Sequence, residues 1–229
     1  MDIIRYTDVF DYSNQIVLSF TENIIKGISD SKERAIALYY SIRDGIQYYP
    51  YEIHLFDSET KASKIIERGR GHCIDKAIVY VSCLRSIGIS AKIGLSKVVN
   101  HIGAERMEKI LMSNVLTPHG YVEMYINDKW VKATPAFNEI LCRFLNVSTL
   151  DFNANEDSLF QEYDQGGNKF MQYIEDYGSF DEFPAELIVE LLEEHYPHLF
   201  YDEHGKRVFI SGNLIDQYLK RNKLILDKI

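Results

Sequence analysis

Apolar residues recur at helical spacing along much of the chain and alternate with polar residues in its middle part. The longest regular stripe runs over Cys73–Ile87, with an apolar residue every three or four positions. We therefore predict a buried helix that begins at Cys73 and ends before Gly88. Two helices are predicted in the first 45 residues, where Asp30 and Glu33 have the spacing of a helix N-terminus.

Strand patterns follow the buried helix. Residues 91–98 alternate between apolar and polar, and residues 121–126 and 130–133 predict a hairpin with its turn at Asn127-Asp128. The remaining predicted helices are Thr60–Arg68, Gly103–Met112, Pro184–Leu191 and Asn213–Leu226. Because helices come first and consecutive strands come later, we predict an α+β fold with the buried helix packed on an antiparallel sheet.

Charge divides the 229 residues into two parts. The whole chain has a net charge of −9, but residues 151–205 contain 15 Asp and Glu and a single base, Lys169. This shift predicts a core over residues 1–150, which includes the N-terminal helices, and an acidic, largely helical extension over residues 151–229. If the acidic stretch steers substrates, they are expected to be basic or Lys-bearing.

Composition limits the function classes. An apolar fraction of 46% indicates a globular protein, and the acidic balance argues against a nucleic acid partner. No apolar run approaches the about 18 residues of a membrane span, and no secretory signal is visible. Three cysteines at irregular spacing (Cys73, Cys83 and Cys142) predict reduced thiols, hence a cytoplasmic location without membrane partners. No spacing of residues predicts a metal or another cofactor, and nothing in the sequence predicts the oligomeric state.

Cys73 differs from the other two cysteines because it begins the buried helix directly after the loop 69–72. At a helix N-terminus, unpaired backbone N–H groups and the positive end of the helix dipole favour a thiolate. The same N–H groups, including that of Cys73, can bind the oxyanion formed when a thiolate attacks a carbonyl. Gly71, His72 and Asp75 are the candidate substrate-binding residues beside it. Cys83 and Cys142 are expected to be buried apolar residues.

Two blocks of sequence carry a family resemblance. The first reads K-I-I-E-R-G-R-G-H-C-I-D-K-A over residues 64–77 and continues as L-R-S-I-G-I-S-A-K over 84–92. The second reads H-G-Y-V-E-M-Y over residues 119–125 and W-V-K-A-T-P over 130–135. Together they resemble the transglutaminase-like superfamily over about residues 31–138, and the chain is similar in size to its short prokaryotic members.

The resemblance implies a papain-like catalytic arrangement. Cys73 would be the nucleophile, His119 on an adjacent strand would be the base and then the acid, and a residue on the next strand would orient the imidazole. Members of the family usually carry Asp before the Pro of that strand, whereas this chain has Thr134. A hydroxyl can accept a hydrogen bond from the imidazole but lacks the charge that stabilises imidazolium. Thr134 is therefore the predicted orienting residue, and Asn138 is the alternative.

Two classes of function stay open. The first is cysteine-dependent acyl transfer from an amide or peptide bond through a Cys73 thioester to water or an amine, as in a protease, an amidase or a transglutaminase. Ile74 follows the nucleophile where animal cross-linking enzymes have Trp, so a hydrolase is at least as well supported as a cross-linking enzyme. The alternative is a non-catalytic binding module that retains the fold, which Thr134 favours.

Overall fold

The computed structural model describes residues 8–54, 58–102, 105–202, 204–207 and 212–214. Its helices are α1 (Gln15–Ile25), α2 (Ser31–Gly45), α3 (Ala62–Arg68), α4 (Cys73–Ser86), α5 (Glu105–Leu111), α6 (Glu139–Phe144), α7 (Ala185–His195) and α8 (Pro197–Phe200). Its strands are β1 (Gln47–Tyr48), β2 (Glu52–Ile53), β3 (Arg70–Gly71), β4 (Ala91–Asn100), β5 (Val115–Ile126), β6 (Lys129–Ala133), β7 (Met171–Phe180) and β8 (Gly212–Asn213).

Four antiparallel strands form the main sheet in the order β6-β5-β4-β7. Strands β5 and β6 are joined through Asn127 and Asp128, whose φ angles are 51° and 60°. Two positive φ angles are what a two-residue hairpin turn requires, so the predicted hairpin is confirmed. In addition, β1 pairs with β3 in parallel, and β2 pairs with β8 in antiparallel orientation.

Helix α4 lies at the centre of the molecule. Every residue from Cys73 to Arg85 is buried, with α1, α2 and α3 packed around the helix and β5 against it. A helix that is covered on all sides must be apolar over most of its surface, which the stripe over Cys73–Ile87 indicated. The α+β fold, with α4 packed on an antiparallel sheet, is confirmed.

Most of the predicted elements are present with small shifts at their ends. Asp30 accepts the backbone N–H of Glu33 (2.9 Å) at the start of α2, as its spacing predicted. The helix predicted over 103–112 spans 105–111, while residues 103 and 104 lie outside the described residues. Of the helix predicted over Asn213–Leu226, only the first two residues are described, and Asn213 belongs to β8.

Strand β7 has no counterpart among the sequence predictions. It lies at the edge of the sheet, and polar residues such as Glu175 and Asp176 stand on it, so the apolar alternation is weak. Because β7 pairs with β4, the main sheet contains residues from both sides of the predicted boundary at residue 150. In the described part of the acidic extension, the helical segments are α7, α8 and the single residue Leu214, and the division into two domains stays a prediction.

Candidate active site

Reciprocal hydrogen bonds close the N-terminus of α4. The imidazole Nδ1 of His72 accepts the backbone N–H of Ile74 (3.2 Å), and the carboxylate of Asp75 accepts the backbone N–H of His72 (3.0 Å). Gly69 ends α3 in the left-handed region, at a φ of 64°, and so allows the chain to turn towards α4. Cys73 is thereby fixed as the first residue of α4, with 8% of its surface exposed.

Asp75 is a buried carboxylate with two cationic or polar neighbours. Its Oδ2 lies 3.1 Å from the guanidinium of Arg68 and 3.6 Å from Nε2 of His72. A Cβ on Gly71 would lie 2.5 Å from the Cβ of Asp75, so the glycine makes room for this side chain. The role of Gly71 in substrate binding stays a prediction.

The carboxylate of Asp75 also influences the pKa of His72. Burial lowers the pKa of the His72 imidazole, but the charge of Asp75 and a hydrogen bond with the side chain of Cys73 more than offset this effect. The pKa of His72 therefore lies above its ordinary value. An imidazole with a raised pKa thus stands beside the Cys73 thiol.

The start of α4 lies directly against β5. The backbone N–H of Gly120 donates to Sγ of Cys73 at 3.4 Å. A Cβ on Gly120 would lie 2.8 Å from the Cα of Ile74, closer than side-chain carbons come to backbone atoms. Glycine at position 120 therefore lets the strand that carries His119 approach the helix that carries Cys73.

His119 lies in β5 and lines the same cavity as Cys73. It is 3% exposed, and this burial lowers the pKa of its imidazole to about 4. Its Nδ1 has no hydrogen-bond partner among the described residues. The imidazole is consequently neutral at pH 7, the form that can accept a proton.

Thr134 directly follows β6 and is held by its backbone. Its N–H donates to the carbonyl of Ser158 (2.9 Å), and its carbonyl accepts the hydroxyl of Tyr39 (3.3 Å). Its Oγ1 is buried and, within the described part of the chain, has no partner. Thr134 and His119 both line a second, small cavity of about 10 Å³, so the two residues are neighbours.

The side-chain amide of Asn138 is occupied by backbone groups. Its Nδ2 donates to the carbonyls of Arg43 and Ile46 (2.9 Å for Ile46), and its Oδ1 accepts the backbone N–H of Tyr48. These contacts tie the end of α2 to the segment before α6. Both ends of the Asn138 amide are therefore used away from His119.

Lys76 is a fully buried cation on α4 that sequence analysis did not single out. Its Nζ donates to three backbone carbonyls, those of Arg43 (2.7 Å), Ile46 (2.9 Å) and Ala136 (2.7 Å). Burial lowers its pKa to about 7. Because Ala136 lies two residues after Thr134, Lys76 connects the helix of Cys73 to the segment that carries Thr134. The available signal was a lysine inside an otherwise apolar helix.

The cavity beside Cys73 has a volume of about 90 Å³ and is bordered by α4, α5, β5 and α7. Of the predicted site residues, Cys73, His72, Asp75 and His119 line it, whereas Gly71, Thr134 and Asn138 do not. Among the described residues, no three His, Cys, Asp or Glu side chains are placed to hold a metal ion. No helix in the described ranges has the length and apolarity needed to cross a membrane.

Comparisons with known proteins give a family and distant structural neighbours, among them two proteins of the protease class. No curated protein matches the sequence. A solved structure of a provisionally assigned cysteine protease from Cytophaga hutchinsonii is 13% identical with a TM-score of 0.45, and the match covers 75% of this chain and 62% of that one. A provisionally assigned protease from Parabacteroides distasonis is 11% identical with a TM-score of 0.36, covering 51% of this chain and 22% of that one.

The profile of the Transglutaminase-like superfamily matches residues 18–135, which is more than half of the chain. The matched segment begins in α1 and ends at Pro135, so it contains the whole of α4, β4, β5 and β6. It therefore includes Cys73, His119 and Thr134 in the order that the sequence resemblance implied. On this match, the chain belongs to the transglutaminase-like superfamily.

Proposed function

We propose that this chain is a cysteine-dependent acyl-transfer enzyme that acts on an amide or peptide bond of a peptide or protein. The observation that carries the proposal is the position of Cys73. It begins a buried helix, its Sγ accepts the N–H of Gly120, and it shares one cavity with His119. These are the parts that nucleophilic catalysis by a thiol needs: an oriented nucleophile, a nearby base and access to a carbonyl.

The reaction proceeds in two steps through a thioester. In the first step His119 takes the proton of Cys73, the sulfur attacks the carbonyl carbon, and the C–N bond breaks as His119 returns the proton to the leaving amine. In the second step water or an amine attacks the thioester carbon, and the thiol of Cys73 is released and reprotonated. We assign the backbone N–H of Cys73 as one donor to the oxyanion.

Thr134 is our choice for the residue that orients His119. It borders the small cavity beside His119 and its Oγ1 is not engaged by another described group, whereas the amide of Asn138 is held by backbone groups. A hydroxyl at this place adds no negative charge beside the ring, which agrees with the low pKa of His119.

Trapping of the acyl-enzyme tests the proposal. The protein is mixed with a peptide library, quenched in acid and digested, and the peptide that contains Cys73 is analysed by mass spectrometry for an acyl adduct. A Cys73→Ala variant is the control. Release of free acid identifies a hydrolase, and transfer to an added primary amine identifies a transferase. Absence of an adduct and of product from every peptide would refute acyl transfer.

A non-catalytic binding module is the second candidate. The observation that favours it is that, in the described ranges, no carboxylate is placed to raise the pKa of His119, which is about 4. The two candidates differ in thiol reactivity. An activated Cys73 should react with iodoacetamide at pH 6 at least about 10-fold faster than Cys83, because burial raises the pKa of Cys83 to about 12. Equally slow labelling of Cys73, Cys83 and Cys142 would support the binding module.

A further inference from the structure

The cavity that contains Cys73 has a largely apolar wall. Helices α5 and α7 form much of this wall, and α7 lies outside the segment that the family profile matches. The aliphatic and thioether side chains of the wall include Ile53, Met107, Leu111, Ile188, Leu192 and Leu214. The surroundings of Cys73 are therefore set in part by residues outside the segment that the family profile matches.

The wall formed by α7 is tied to the strand of His119. The hydroxyl of Tyr196, just after α7, donates to the carbonyl of Val115 (2.7 Å) and accepts the N–H of Thr117 (3.0 Å). Both partners belong to β5, and Thr117 is two residues from His119. Because Tyr196 is only 2% exposed, these bonds hold α7 at a fixed distance from β5.

Among its described lining residues, the cavity offers no free carboxylate to a cationic substrate side chain, and no Lys or Arg to an anionic one. Asp75 is the single carboxylate among the described lining residues, and it is already paired with Arg68. Lys and Arg are absent from that part of the lining. The carboxylates of Glu186, Glu190 and Glu194 are exposed on the outer side of α7. A cationic group placed in the cavity would lose its hydration without gaining a free carboxylate, and an anionic group would find imidazoles as its only basic neighbours in the described lining, so burial of either is costly.

The size of the cavity suits one apolar side chain. About 10–15 Å³ by this measure holds one water molecule, so about 90 Å³ has room for roughly seven groups of that size. The side chain of Leu has about four heavy atoms beyond Cα and that of Phe has about seven, so either one would fit in a cavity with room for roughly seven such groups.

We propose that this cavity receives the side chain of the residue whose carbonyl Cys73 attacks, and that this side chain is aliphatic or aromatic. The inference rests on the proposed function and specifies its substrate class. In this proposal, the acidic outer face of α7 does not contact this side chain. The proposed substrate class therefore differs from the basic substrates that the charge of the acidic stretch predicted. Burial of a Leu or Phe side chain should favour such substrates by about 10- to 100-fold over charged ones.

Peptidyl acyloxymethyl ketones test this substrate class, because they modify a catalytic thiol only after the peptide is bound. The probes carry Leu, Phe, Gln, Glu or Lys at the residue next to the reactive ketone, and modification of Cys73 is followed by mass spectrometry. Iodoacetamide, which has no side chain to place, provides the reference rate. We expect the Leu and Phe probes to react about 10- to 100-fold faster than the Glu and Lys probes.

Two cavity variants and one outer-face variant locate the preference. Leu192→Phe fills the cavity and should lower the rate of the Leu and Phe probes relative to iodoacetamide. Met107→Lys adds a cation to a half-buried position and should raise the rate of the Glu probe relative to the Leu probe. Glu190→Gln changes an exposed residue of the same helix as Leu192 and should keep the wild-type ratios.

The results distinguish a failure of the proposed substrate class from a failure of the proposed function. If Cys73 reacts rapidly with iodoacetamide but all peptidyl probes react alike, the proposed pocket is wrong and the thiol chemistry stands. If Cys73 reacts no faster than Cys83 with iodoacetamide and with no probe, the proposed function fails and the inference fails with it.

Discussion

Replacement of Gly120 by Ala should separate the two catalytic elements. The added Cβ would lie 2.8 Å from the Cα of Ile74 and 3.0 Å from its backbone N, both at the rigid first turn of α4. Ordinary van der Waals contact begins near 3.4 Å, so strand and helix must part by roughly 0.6 Å. A flexible side chain could turn away from such a contact, but a backbone atom cannot.

The displacement has two consequences of predictable size. Overpacking of a buried contact costs about 1–3 kcal/mol of the free energy of unfolding. The same movement lengthens the bond between the N–H of Gly120 and Sγ of Cys73, now 3.4 Å, towards roughly 4 Å, where it is lost. Because a misplacement of about 1 Å can lower a rate about 100-fold, we expect the rate of acyl transfer to fall by about 10-fold or more.

Urea denaturation and the rate of Cys73 acylation measure the two effects separately. Gly45→Ala is the matched control, because Gly45 ends α2 with no heavy atom within 4 Å of the added Cβ and without a positive φ. This control should be neutral, or stabilising by about 0.4–1 kcal/mol. If Gly120→Ala unfolds at the same urea concentration as the wild type and retains its acylation rate, the close contact between α4 and β5 does not exist as described.

Three further predictions concern the groups around the two cavities. Thr134→Asp should raise the pKa of His119, measured by NMR titration of the imidazole, by about one to three pH units, whereas Thr134→Val should not raise it. Lys76→Met should lower the free energy of unfolding by about 1–3 kcal/mol in urea denaturation, because the carbonyl of Ala136 loses its buried donor; unchanged stability would contradict this role. Acidification should lower the free energy of unfolding through His119, whose pKa is about 4 in the folded chain and 6.5 ordinarily. Between these pH values the unfolded chain binds more protons than the folded chain. Unfolding is therefore favoured by up to about 3 kcal/mol at low pH. His119→Gln should therefore show a smaller loss of stability between pH 6.5 and 4 than the wild type, and equal pH slopes would show that His119 is not buried neutral.

Sequence patterns predicted an element correctly where its own residues carry the features that its place in the fold requires. The start of α4 at Cys73 followed from an apolar stripe and a glycine-containing loop before it, because burial on all sides requires an apolar helix. The hairpin followed from Asn127-Asp128, since few other residues adopt two positive φ angles in succession.

The parts that were not predicted depend on contacts between distant segments. Strand β7 is an edge strand with one polar face, so its sequence resembles a loop until β4 is known to lie beside it. The role of Lys76 depends on three carbonyls from α2 and from the segment after β6, none of which is near it in sequence. The backbone partners of the Asn138 amide could not be predicted for the same reason, and the family resemblance had instead suggested Asn138 as an alternative partner of His119.

Two of the imidazoles that line the Cys73 cavity, those of His72 and His119, differ in their charged neighbours among the described residues. Asp75 lies next to His72, whose pKa it raises, while His119 stands beside Thr134 with a pKa of about 4. A carboxylate thus raises the pKa of His72, whereas burial favours the neutral, proton-accepting form of His119. In the proposed reaction, His119 takes the proton of Cys73 and returns it to the leaving amine, which a neutral imidazole can do. Because Thr134 adds no negative charge beside His119, the pKa of that imidazole stays low, and Asp75 acts on His72 instead.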